Sequence, residues 1–156
     1  MKRVLLKSVN EAFDYVMDHY APNGLEDLAP KKDTYAVISI QDTHLHGFGF
    51  VFDISRYCQD VLTLYVDDII KPAAGAVLFD EEMAEEIIRF IDKNRNADTL
   101  LVHCFAGQSR SRAVAAFAVR MLGGDNCLYF ESGSPNMYIY DVLENTYMKM
   151  KKGSVS

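Results

Sequence analysis

The stretch "LVHCFAGQSRSR", residues 101–112, decides how the chain is read. Apolar positions run into His103 and Cys104, a glycine follows at 107, and Arg110 stands six positions after the cysteine (110 − 104). "TLLVHC", 99–104, is expected to be a buried strand, and alanine-rich 111–122 a helix stopped by Gly123-Gly124. The residues between Cys104 and Arg110 must then curl from strand to helix, and Gly107 supplies the dihedral freedom for that turn. Backbone N–H groups gathered at a helix N-terminus make an anion cradle. The same field lowers a thiol pKa, so Cys104 is expected to be a thiolate at neutral pH. Arg110 can grip two oxygens of a tetrahedral oxyanion as a fork, which lysine cannot. The constellation reads as a nucleophile at the bottom of a phosphate-sized bowl.

Outward from this loop, strands and helices alternate. Residues 3–8 suit a short strand, and Asn10 can cap a helix over roughly 11–20 with Ala12, Phe13, Val16 and Met17 on one face. "APNGLEDLAP" is turn-rich, "TYAVISI" (34–40) reads as a buried strand, and 41–60 is mixed, with "HGFGF" an aromatic loop near a short helical turn. "VLTLYV" (61–66) is the next strand and ends on Asp67-Asp68. Asp80 caps a helix with Glu81 and Glu82 in its first turn and Met83, Ile87, Ile88 and Ile91 as its buried stripe. A last helix starts at Ser134-Pro135-Asn136 and runs to about Lys149. This order implies an α/β fold, a mostly parallel sheet flanked by helices on both faces. In such sheets the functional crevice lies at the carboxyl ends of the strands. Cys104 and the Asp67-Asp68 pair both fall there.

The totals narrow the function classes. At 156 residues the chain is expected to be a single domain, and 49% hydrophobic against 24% charged residues allows a real core. A net charge of −6 disfavours nucleic acid and anionic membrane surfaces as partners. Three cysteines, Cys58, Cys104 and Cys127, show no paired spacing, so a disulfide framework is not expected. "MKRVLLKSVN" has an apolar run too short for a secretory segment, and a reducing, cytoplasmic setting is expected. Nothing in the sequence speaks to oligomeric state.

"HCFAGQSRS" resembles the HCxxGxxR[ST] signature of the cysteine-based protein phosphatases, and with Ala106 and Ser109-Arg110-Ser111 it is most similar to the dual-specificity type. "SPNMYIYDVL" is similar to that type's "SPN" helix start, and the likeness spans roughly residues 34–147, the expected catalytic core. The resemblance implies a phosphotyrosine protein phosphatase-like fold and a phosphomonoester hydrolase. Cys104 would attack phosphorus and become a phosphocysteine, while Arg110 and the loop amides of Phe105, Ala106, Gly107, Gln108, Ser109 and Arg110 bind the equatorial oxygens. Ser111 would assist the sulfur as it leaves, His103 would orient the loop from behind, and Asn136 would buttress it. No metal or other cofactor is implied.

The leaving oxygen needs a proton donor. By the same resemblance this is an aspartate at the strand end before the penultimate helix. Asp68 lies 36 residues ahead of the cysteine (104 − 68) and Asp67 lies 37 ahead, the excess matching the extra "KPAAGA". Asp68 is preferred as the later member, and Asp67 is the alternative, its charge raising the pKa of the acid. Asp80 is better explained as a cap, and Asp42 and Asp53 as loop residues. Arg112 reads as a surface ion-pairing residue. Cys58 and Cys127 read as ordinary thiols, either able to form a reversible disulfide with Cys104 under oxidation. His44 and His46 have a spacing open to metal ligation, but no second cluster supports it, and a polar loop lining the cleft with Phe48 or Phe50 is the plainer reading.

The expected partner is a phosphorylated protein or a small aryl phosphate. The loop carries no lysine, which argues against a polyphosphorylated headgroup. Two other classes compete: a non-catalytic phosphate-binding module, and a rhodanese-like sulfurtransferase or an arsenate reductase. Rhodanese-type loops lack the His-Cys and Ser-Arg-Ser setting.

Overall fold

The computed structural model describes residues 1–19, 33–44 and 47–153. Four strands, β1 (Arg3–Lys7), β2 (Tyr35–Gln41), β3 (Cys58–Tyr65) and β4 (Thr99–His103), form a parallel sheet in the order β1-β4-β2-β3. Around it run α1 (Val9–His19), α2 (Glu81–Lys93), α3 (Arg110–Met121), α4 (Cys127–Glu131) and α5 (Met137–Gly153).

The two-residue period of β2 splits the core. Ala36, Ile38 and Ile40 face a layer built from α2, α3 and α5, where Ile87, Ile91, Val114, Phe117, Ile139 and Leu143 are buried. Tyr35 and Val37 face Ala12 of α1 together with Phe52 and Tyr57 from the segment before β3. Both faces of β2 are covered, so all seven of its residues are buried, as a near-continuous apolar run requires in a parallel sheet. The expected α/β class with flanking helices is therefore the observed one.

Several boundaries differ from expectation for local reasons. Ser8, not Asn10, caps α1: Glu11 N–H donates to Ser8 Oγ (3.2 Å) and Ser8 N–H to Glu11 Oε1 (2.9 Å), a reciprocal capping box. Of the predicted apolar face of α1, Ala12 is buried, but Phe13 and Met17 are exposed. Asn136 rather than Ser134 caps α5, taking Ile139 N–H on Oδ1 at 3.1 Å. The short α4 follows the glycine stop as an unpredicted turn of helix, and β3 begins three residues early at Cys58 (61 − 58). No helical turn lies between Gln41 and Cys58 among the described residues. Asp80 caps α2 as read, accepting Met83 N–H at 2.8 Å.

Candidate active site

The loop from Cys104 to Ser109 leaves the carboxyl end of β4 and enters α3 at Arg110. Gly107 has φ +73°, and a Cβ there would lie 3.0 Å from the Lys7 carbonyl, so glycine is required on two counts. The turn between β1 and α1 thus forms the wall behind the loop, and Val9 N–H fixes it by donating to Phe105 O at 3.0 Å.

At the floor sits Cys104, 2% exposed. Gly107 N–H donates to its sulfur at 3.3 Å, and Ser111 Oγ lies 3.0 Å from it. Both groups oppose negative charge on sulfur with a dipole, and the free N-terminus of α3 adds its own. His103 is fully buried and does not face the bowl. Its Nδ1 lies 3.1 Å from Cys104 O and its Nε2 2.6 Å from Ser39 Oγ, which in turn accepts Gln41 Nε2 at 2.9 Å. The Cys104 carbonyl can only accept, so Nδ1 carries the proton and Nε2 takes the Ser39 hydroxyl. Burial pulls the imidazole pKa below its ordinary value; the bond to Cys104 opposes this and the Arg110 charge reinforces it. A neutral histidine thus engages the Cys104 carbonyl from behind, while Gly107 N–H points at the sulfur.

The two candidate carboxylates part company here. Asp67 is consumed by structure: Thr43 Oγ1 donates to Oδ1 (2.6 Å) and Val77 N–H to Oδ2 (2.7 Å). Those bonds, with the charges of His44 and Arg110 nearby, hold its pKa below the usual carboxylate value. With Asp67 N–H donating to Val77 O at 2.9 Å, the residue staples shut the excursion 68–76 that contains "KPAAGA". Asp68 instead turns to the bowl's rim, where its Oδ1 accepts Ser109 Oγ (2.8 Å) and Asn136 Nδ2 (2.9 Å). Asn136 also donates to Ile69 O (3.1 Å), and its own N–H bonds Ser109 O at 3.1 Å. One amide thereby joins the aspartate segment, the anion loop and the head of α5.

Arg110 is buried at 6% exposure. Its Nη1 donates to Val66 O (2.9 Å) and forms an ion pair with Asp42 Oδ1 (2.7 Å). Sequence reading left Asp42 as a loop residue. Its signal was position alone, the first residue beyond β2 on the same rim as Cys104 and Asp68. Arg112 also differs from expectation: it pairs with no carboxylate among the described residues. It donates to Ser132 Oγ (3.3 Å) and Gln108 Oε1 (3.4 Å), packing against Gly133 to brace the loop from outside.

Phe48 stands with its ring 6.0 Å from those of Phe105 and His103, so it borders the loop, whereas Phe50 turns away to Phe13 and Phe52. His44 is exposed and 4.0 Å from Asp67, and His46 lies outside the described residues. Among the described residues no group of three or more His, Cys, Asp or Glu side chains is placed to hold a metal ion. The Cys58–Cys104 disulfide is ruled out by topology. Cys58 is level with Tyr35 and Thr99 at the amino end of the sheet, and Cys104 lies beyond the carboxyl end of β4. Five residues of strand separate the two levels, about 16 Å, well beyond the roughly 7 Å that a disulfide tolerates. Burial pushes the Cys58 thiol up to about 11, and Cys127 is exposed on α4.

The parallel sheet with its flanking helices has the fold of the dual-specificity and tyrosine phosphatases. Among solved structures it is similar to DUSP15 (22% identity, TM-score 0.55, covering 93% of this chain and 83% of that one). It is also similar to PTPMT1 in complex with PI(5)P (15%, TM-score 0.58, 99% and 96%). A third is the human tyrosine phosphatase-like serine/threonine/tyrosine-interacting protein (17%, TM-score 0.57, 97% and 99%). No family model matches the sequence, and no curated protein is significantly similar to it. No helix of the described residues is long and apolar enough to cross a membrane.

Proposed function

We propose that the chain is a cysteine-dependent phosphomonoester hydrolase of the tyrosine and dual-specificity phosphatase type, a single catalytic unit working in a reducing cytoplasm. The observation that carries this reading is the convergence of Gly107 N–H and Ser111 Oγ on a cysteine sulfur at the head of α3. The sulfur of Cys104, as thiolate, attacks phosphorus in line with the leaving oxygen. The S–P bond forms as the P–O bond breaks, and Asp68 gives its proton to the departing oxygen. Arg110 and the loop amides hold the equatorial oxygens, whose charge they meet without reorganising. Water then attacks the phosphocysteine, with Asp68, now a carboxylate, taking its proton. Ser111 donates to the sulfur as the S–P bond breaks. Loop dipoles and one guanidinium supply the charge stabilisation, so the steps call for no metal or cofactor.

Asp68 is favoured over Asp67 because Asp67 has both oxygens committed to Thr43 and Val77, and a carboxylate held ionised has no proton to give. The substrate is a phosphorylated protein side chain or a small aryl phosphate. Replacing Cys104 with serine tests the covalent step. Hydrolysis of p-nitrophenyl phosphate should disappear while inorganic phosphate and vanadate still bind. Turnover by Cys104→Ser would refute the phosphocysteine, and wild-type protein that binds phosphate without turnover would return the chain to the class of phosphate-binding modules.

A further inference from the structure

Asp42 stands where a ligand's charge matters. Arg110 Nη1 is engaged by the chain itself, donating to Val66 O at 2.9 Å and forming an ion pair with Asp42 Oδ1 at 2.7 Å. Among the described residues neither Nε nor Nη2 has an acceptor, which leaves three N–H groups of the guanidinium available to a ligand. The Arg110 side chain is 8% exposed while that of Asp42 is 39% exposed, so Asp42 is the outer member of the pair. The bowl's own cation is thereby matched by a fixed anion, Asp68 adds a second carboxylate against Ser109 of the loop, and the loop has no lysine. Just beyond Asp42, Thr43 and the exposed His44 lie against Asp67, while Phe105 of the anion loop is exposed with the Phe48 ring beside it.

We infer that Asp42 is a specificity-determining residue that sets a limit on ligand charge. It permits one phosphate on Arg110 and repels a ligand bearing a second phosphate near the first, directing the site to monophosphates on neutral or aromatic groups. The inference rests on the phosphatase reading for where phosphate binds and goes beyond it in naming the class admitted. A phosphate held on the free edge of Arg110 lies within a few ångströms of the Asp42 carboxylate, where a unit charge changes affinity by about three- to tenfold per charge on the ligand. A bisphosphate feels this more than inorganic phosphate does.

The experiment measures binding rather than turnover, by titration calorimetry in the Cys104→Ser background. Its ligands are inorganic phosphate, phenyl phosphate and inositol 1,5-bisphosphate, each with Asp42 intact and as Asp42→Asn. Asparagine keeps an oxygen to accept from Nη1 and removes the charge. Phosphate should bind about three- to tenfold more tightly to Asp42→Asn, and the bisphosphate should gain by a clearly larger factor. Both gains should shrink in 0.5 M salt, where the Debye length is only a few ångströms. Equal gains for mono- and bisphosphate, or gains indifferent to salt, overturn the inference. Weaker binding of every ligand also overturns it, because Asp42 would then only position Arg110. Asp42→Ser, which removes charge and bond together, checks that reading: a rise in the bisphosphate-to-phosphate affinity ratio in that variant supports the charge limit. If the protein with Asp42 intact binds no phosphate at all, the phosphatase reading itself fails.

Discussion

Asn136 is the residue whose removal should separate architecture from chemistry. Its side chain makes three bonds: the cap to Ile139 N–H and the donations to Asp68 Oδ1 and Ile69 O. Truncation to alanine loses an N-cap, about 0.5–2 kcal/mol. The bond to a carboxylate is worth about 1.5–3 kcal/mol and that to a carbonyl about 0.5–1.5. Asp68 is exposed, however, and regains water, so most of the carboxylate bond is recovered. The net loss settles near 2 kcal/mol, which lowers the melting temperature by about 4–8 °C for a chain of this size. Catalysis should suffer separately. The acid loses the amide that holds it over the anion loop, so turnover of phenyl phosphate should fall about tenfold or more, a fraction of the 10²–10⁴ a placed acid is worth. p-Nitrophenyl phosphate, whose leaving group needs less help from a proton, should lose less. Asn136→Asp keeps the cap but turns a carboxylate on Asp68. Its melting temperature should stay closer to wild type while its turnover falls at least as far as in Asn136→Ala. Thermal melts and kcat for the two esters are sufficient. A loss of turnover identical for both leaving groups, or none at all, would refute the tether between Asn136 and the acid.

The two aspartates should also behave differently. Asp68→Asn should cut kcat and remove the rise in rate that needs a protonated carboxyl group, whereas Asp67→Asn should loosen the 68–76 excursion and show mainly as a lower melting temperature; a pH–rate profile reversed between the two variants would exchange their roles. His103 makes stability depend on pH. Burial holds its pKa below 6.5 in the fold, so as pH falls through about 6.5 the unfolded chain takes up a proton that the folded one refuses. Stability is full above that point and declines below it. The urea midpoint should drop between pH 6.5 and 5, and His103→Gln should flatten the drop; an equal slope in the variant would assign it elsewhere.

How much of this was legible in the sequence follows from range of interaction. The loop from Cys104 to Ser111 could be read because strand, turn glycine and helix start are contiguous, so spacing alone fixes their geometry. Asp68 against Asp67 could be narrowed but not decided, since adjacent residues at a strand end differ only in which neighbours they meet. The partners that distinguish them, Thr43, Val77 and Asn136, lie 24, 10 and 68 residues away. Asp42 was missed for the same reason, because its only mark is a partner 68 residues on (110 − 42). The misplaced caps have another origin. Ser8 and Asn10, or Ser134 and Asn136, are both good capping residues, and sequence alone does not say which oxygen meets the free N–H groups of the first turn, Ser8 Oγ that of Glu11 and Asn136 Oδ1 that of Ile139. Arg112 read as a surface charge because a charge pattern says nothing of an amide such as Gln108 one turn earlier on the folded loop.

The close seat of Gly107 on the carbonyl of Lys7 carries a further consequence. β1 is one of the sheet's two edge strands, paired only with β4, nearly a hundred residues distant in sequence, and an edge strand can open locally. Yet the anion loop has no wall without it. Partial opening of that edge, leaving β2, β3 and the helical layers intact, would collapse the bowl while circular dichroism still reported a native chain. Loss of activity should therefore precede loss of secondary structure on mild denaturation, and in refolding the chemistry should return last, after the most distant strand pairing in the sheet has formed.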